Sequence, residues 1–122
     1  MADHLETGMK GEEIAKKYLI EKGYSVLETN WRSGPHEIDI IAKKGFNLVI
    51  VEVKTRKGKP LVEPEEAVDM NKQRLLIKAA NKYICLNNID LETRFDIIGI
   101  IIQGENYQVN HLEDAFYPRL QR

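Results

Sequence analysis

Cysteine is nearly absent from this sequence: Cys85 stands alone in a chain of 122 residues. No internal disulfide can form, so the fold must rest on packing, and a reducing, cytoplasmic setting is expected. Long apolar runs are missing as well. The longest, 48–51 and 97–102, fall far short of the roughly 20 residues that span a bilayer, so no membrane partner is expected. Residues 1–10 contain no apolar stretch of the signal-peptide kind. Neither sign of charge dominates. Lys and Arg number 18 against 19 Asp and Glu, a net charge of −1, which speaks against a protein that coats nucleic acid through a bulk basic field. There is no internal repeat, no low-complexity segment and no Pro/Gly/Ser-rich linker. One domain over 1–122 is therefore expected, with 1–7 and 119–122 as flexible tails.

What the chain does contain is enough apolar material, 43%, for a core, and enough charge, 30%, for a solvated surface. The charge is locally uneven. Lys54, Arg56, Lys57 and Lys59 fall within six residues, Arg74, Lys78 and Lys82 recur at every fourth position, and Glu63, Glu65 and Glu66 gather between them. A basic face on a near-neutral protein is compatible with this pattern.

Periodicity gives the elements. Ile14, Ala15, Tyr18 and Leu19 share one face of a helix over 8–22, which Gly23 ends. A strand is expected over 24–31, a loop at Ser33-Gly34-Pro35, and a hairpin of strands 37–42 and 47–54, rich in β-branched residues. A charged loop over 55–63 leads to a second helix, opened by Pro64 and running to about Cys85, with Leu75, Leu76, Ala79, Ala80 and Tyr83 on its apolar face. Strands follow at 93–102 and, more weakly, 107–112. The fold class is α/β in the order α-β-β-β-α-β-β. The runs 38–42 and 48–51 are apolar without alternation, so both faces of a mixed sheet of about five strands need cover, which two helices supply.

The hairpin carries the chemistry. If Gly45-Phe46 is a two-residue turn, counting back places Asp39 opposite Glu52 and Glu37 opposite Lys54. All four side chains then point to one side of the sheet. Two carboxylates facing each other among β-branched residues cost several kcal/mol if left unpaired. Lys54 offsets one charge; a divalent cation would satisfy both. Mg²⁺ (or Mn²⁺) suits them, because it takes carboxylate oxygens and keeps waters and substrate phosphate as its other ligands. Such a site fits phosphodiester hydrolysis, with Lys54 positioning water or neutralising charge on the phosphate. Helical phase puts Glu12 at the edge of the first helix's apolar face and Lys72 in line with Leu76, Ala79 and Tyr83, so both could reach the sheet.

Gly11-Glu12, Lys22-Gly23-Tyr24, Asn30-Trp31-Arg32, Glu37-Ile38-Asp39 and Val51-Glu52-Val53-Lys54-Thr55-Arg56 together resemble the YraN family of bacterial proteins. So do Glu66-Ala67-Val68, Lys72, Arg94-Phe95-Asp96 and Asp114-Ala115-Phe116. The likeness spans about 10–118. That family resembles the PD-(D/E)xK nuclease superfamily, archaeal Holliday-junction resolvases among them. The resemblance implies a restriction-endonuclease-like fold, a Mg²⁺-dependent site with Glu12, Asp39, Glu52 and Lys54 on the four signature positions, and a homodimer. His36 stands where the family usually has glycine, and Ile38 where the superfamily signature has proline.

Blander readings stand beside these. A Glu-x-Lys on a strand commonly marks a solvated face, Glu12 suits a helix start by charge alone, and Lys72 can carry its charge past an apolar stem to solvent. Arg94 and Asp96 share a strand face and can pair with each other, while Trp31 and Phe116 read as packing residues. Three functions remain open. The first is a metal-dependent nuclease acting on DNA in preference to RNA. The second is a nucleic-acid-binding module without turnover, leaning on Arg56, Lys57 and Lys59. The third is an interaction protein whose acids are structural.

Overall fold

The computed structural model describes residues 2–58 and 68–118. Helix α1 (Ala2–Glu21) starts ahead of the expected Gly8. Nothing in 2–7 breaks a helix. It ends as Gly23 takes φ 92, and the Tyr24 amide bonds back to the Leu19 carbonyl at 2.9 Å. Strands β1 (Ser25–Ser33), β2 (His36–Lys44) and β3 (Asn47–Lys57) follow. Helix α2 (Met70–Asn87) comes next, then β4 (Glu92–Gln103) and β5 (Asn106–Phe116). The order is the expected α-β-β-β-α-β-β.

Further boundaries differ from expectation, and β5 runs on to Phe116, past the expected end at 112. The charged segment 55–57 is strand rather than loop, because its backbone pairs with β4, Thr55 against Ile100 and Lys57 against Ile102. Helix α2 begins at Met70 rather than Pro64, with 64–67 outside the described residues. Asp69 caps it from an extended backbone, its carboxylate taking the Lys72 amide at 2.9 Å.

The five strands lie side by side in chain order. The β1–β2, β2–β3 and β4–β5 pairs are antiparallel, and β3–β4 is parallel through the α2 crossover. Gly45, at φ 58, takes the first central position of the β2–β3 turn, the place a type II′ turn reserves for glycine. Helix α1 packs Ala15 and Leu19 on one face of the sheet, against Ile40, Val49, Val51, Ile98 and Ile100. Helix α2 packs Leu76, Ala79, Ala80 and Tyr83 on the other, against Ile41, Leu48, Ile50, Phe95 and Ile97. Strand β4 is buried on both faces from Phe95 to Ile102, as a central strand between two helix layers must be. Each fully buried Leu or Ile contributes about 1.5–3 kcal/mol. Among the described residues no helix is long and apolar enough to cross a membrane.

The β1–β2 ladder is interrupted at Asn30 and Asp39 as well as shifted between Val26 and Glu28. Asn30 of β1 and Asp39 of β2 are both left out of a ladder that pairs Thr29 with Ile40 and Trp31 with Ile38. Asn30 sits in the left-handed region at φ 50. Side-chain alternation slips here, so Ile38 joins Ile41 in the α2 core although the two are three residues apart. Trp31 follows onto the same face and meets the Tyr83 ring edge-on, 5.3 Å between centroids.

Candidate metal centre

The β2–β3 ladder runs from Lys44–Asn47 to Ile40–Val51 and stops. Its register is the one that brings Asp39 level with Glu52, yet the strands part at that point. Asp39 bridges the gap with its side chain: Oδ2 accepts the Val53 amide at 2.8 Å. A carboxylate oxygen thus takes the place of a ladder carbonyl, and the buried amide is satisfied.

Glu52 lies beside it, 4% exposed. Its Oε2 is 3.5 Å from the Lys54 Nζ and 3.5 Å from the Lys72 Nζ. The two lysines come from different elements, β3 and α2. Burial pushes the Asp39 carboxyl up to about 7; the Glu52 charge and a carboxyl–carboxyl hydrogen bond add to the rise, and the Val53 amide opposes it. One proton between two acids is the metal-free way of relieving their repulsion.

Glu12 approaches from α1. Its carboxyl is raised above the ordinary range, first by partial burial and then by Glu37 and Glu52, with the neighbouring Asn30 amide pulling it down. It also adds to the negative field at Asp39. Gly11 sets this approach. A Cβ there would lie 1.9 Å from Thr55 Oγ1 and 2.9 Å from Thr55 Cβ, so only glycine lets α1 come this close to β3. Thr55 can oppose it because β3 continues past Lys54.

Glu37 is placed differently from expectation. It does not face Lys54, because β2 has already left β3; it pairs with Arg32 across β1, 3.3 Å apart, both largely exposed. Arg56 and Lys57 are exposed at the end of β3, and Lys59 lies outside the described residues.

Sequence reasoning saw Arg94 and Asp96 as a pair but missed the network they anchor. Asp96, 1% exposed, takes Arg94 Nε at 2.9 Å and Nη2 at 2.8 Å, His111 Nε2 at 2.7 Å and the Asp114 amide at 3.0 Å. The Tyr18 hydroxyl meets His111 Nδ1 at 3.0 Å, and Arg94 Nη2 donates to the Tyr24 hydroxyl at 2.5 Å. The network joins α1, β4 and β5 with the segment entering β1. A bulge in β5 adds the Asp114 amide to it: pairing shifts between Phe95 and Ile97, and Asp114 takes φ 53.

Among the described residues, His, Cys, Asp and Glu side chains nowhere gather in threes closely enough to enclose an ion. The donors at the fork still fit Mg²⁺ or Mn²⁺, because such ions bind through one or two carboxylates and leave the other positions to water and phosphate. A buried carboxyl raised to about 7 beside a second acid is a donor set short of positive charge.

Residues 11–100 match the family described as "Uncharacterised protein family UPF0102". Among similar relatives is a UPF0102 protein of Bacteroides thetaiotaomicron, 48% identical over 120 residues, covering 98% of this chain and 99% of the relative. One from Flavobacterium psychrophilum is 48% identical over 117 residues, covering 96% and 98%. A third, from Porphyromonas gingivalis, is 45% identical and covers 100% and 92%.

Proposed function

We propose that this chain, which belongs to the uncharacterised protein family UPF0102, is a metal-dependent nuclease-like protein that hydrolyses phosphodiester bonds in nucleic acid, DNA in preference to RNA. The observation that supports this most is the meeting of Asp39 and Glu52 at the strand fork, with Lys54 and Lys72 both on Glu52.

Asp39 and Glu52 would hold Mg²⁺ or Mn²⁺, which when bound acidifies a water and polarises a phosphoryl oxygen. The Val53 amide fixes one Asp39 oxygen, and the other would ligate the ion. Lys54, at the open end of the fork, would meet the phosphate and neutralise charge that grows as the bond breaks. Glu12, with its raised affinity for a proton, would accept one from the attacking water. Lys72 would orient Glu52. A homodimer, as in the resolvase resemblance, would carry two such sites.

The test is a cleavage screen with Mn²⁺ against single-stranded, duplex, flap and four-way-junction DNA. Metal-dependent cleavage that disappears in Asp39→Ala and Glu52→Ala, with both variants folded, is the expected result. Equal cleavage by wild type and variants would remove the proposal. The second reading, a binding module without turnover, is favoured by the lack of a third enclosing ligand among the described residues. It predicts salt-sensitive binding with no cleavage in either metal.

A further inference from the structure

Along one flank of α2, a groove of about 480 Å³ runs between the helix and the residues that follow β5. Met70, Ile77 and Pro118 form apolar walls, and Arg74, Lys78 and Tyr117 line it as well. Tyr117 is 70% exposed and Met70 42%. Its size lies within the roughly 300–1,000 Å³ of sites that take small organic groups.

Charge and shape restrict the occupant. Arg74 and Lys78 stand one helical turn apart on the same face. Among the described residues neither takes part in an ion pair, whereas Arg32, Lys54, Lys72 and Arg94 all do. An anion with more than one charge is therefore favoured. The apolar walls and the bare phenol ring ask for more than charge: they suit a flat group that stacks. Cations along a groove with an aromatic platform are the combination by which single-stranded nucleic acid is held, each base offering a ring face. A duplex keeps its bases stacked inside and offers Tyr117 nothing.

We propose that this groove binds an unpaired nucleotide of a single-stranded nucleic acid, its base stacked on Tyr117 between Met70 and Ile77 and its flanking phosphates on Arg74 and Lys78. The inference rests on the nuclease-like reading and deepens it. Lys72, on the same helix, reaches Glu52, so α2 would lead a strand from the groove to the fork, and the substrate would carry unpaired nucleotides beside the bond to be cut.

The test is fluorescence anisotropy in EDTA, so that cleavage plays no part, with a labelled oligothymidylate of about 20 nucleotides and a blunt duplex of the same length. Tyr117→Ala should weaken strand binding about tenfold or more and leave duplex binding unchanged, while Tyr117→Phe restores it. The Arg74→Ala/Lys78→Ala double variant should lower the salt slope of strand binding by about 1.4, at roughly 0.7 per phosphate contact. Because the Tyr117 ring is exposed, its variants should melt with wild type. The inference is overturned by a wild type that binds no oligothymidylate, by a Tyr117→Ala loss equal for strand and duplex, or by strand binding indifferent to these residues. Tyr117-dependent capture of a glutamate-rich peptide in place of the strand would also overturn it. EDTA keeps strand binding separate from turnover, so absence of cleavage would leave the groove standing, and an inert groove would leave cleavage standing.

Discussion

The Asp39 carboxylate holds the Val53 amide at 2.8 Å across the gap where β2 leaves β3. The contact closes the sheet where the ladder stops, with a carboxyl whose ionisation burial and Glu52 oppose. Burial, and then the Glu52 charge, raise the Asp39 carboxyl to about 7. The sign follows from linkage: a group whose folded value lies above its unfolded value costs stability as it ionises. The cost is absent below the ordinary value of 3.8, grows to about pH 7 and is complete above. Asp39→Asn keeps an acceptor for Val53 and removes the charge. In metal-free buffer the variant should melt about 4 °C or more above wild type at pH 8, for a gain of about 1 kcal/mol, and level with it at pH 4. Scanning calorimetry at both values checks this, and the variant should be inactive throughout.

Asp96 has the opposite sign. Burial alone would raise it, but His111, Arg94 and the Asp114 amide together hold it below the ordinary range. Its contribution is present above pH 3.8 and is lost as pH falls through the lowered value. Asp96→Ala strands Arg94 and His111 and should cost about 3–5 kcal/mol at pH 7, read from urea unfolding. The variant's stability should then depend less on pH than that of wild type between pH 4 and 2.

Gly11 and Thr55 are a matched pair, and the match brings Glu12 to the fork. Gly11→Ala should destabilise by about 1–3 kcal/mol, since the opposing atoms include the Thr55 Cβ and not only its movable end. Adding Thr55→Gly should recover part of that loss, so that the double variant is more stable than the sum of the single changes. A double-mutant cycle by urea unfolding measures it.

The two lysines on Glu52 should differ in kinetics. Lys54→Ala should lower kcat by about a hundredfold, the scale for losing a charge-stabilising group in the transition state. Lys72→Ala should cost less, because Lys54 still pairs with Glu52, and Lys72→Gln should behave like it. Single-turnover cleavage rates separate the two.

Much of this was legible in the sequence, for identifiable reasons. The hairpin register followed from Gly45, because a two-residue turn leaves little freedom in pairing. The covered faces followed from apolar runs without alternation. The parting of β2 from β3 was not legible. It depends on Asn30 and Asp39 slipping together in neighbouring strands, and it sends Glu37 to Arg32 and away from Lys54. The strand character of 55–57 was hidden by charge: its backbone bonds go to a β4 far along the chain. His111 was unreadable for a similar reason. It stands opposite Ile98, two residues from Asp96 on the same face of β4, and the spacing of the two in the chain does not reveal that register.

The most direct measurement is Mn²⁺ titration followed by electron paramagnetic resonance at pH 8, with wild type, Asp39→Asn and Glu52→Gln. One bound ion per chain in wild type, lost in each folded variant, is the predicted result. A wild type that binds none, or variants that bind as wild type does, would contradict the claim that these two carboxylates form a cation site.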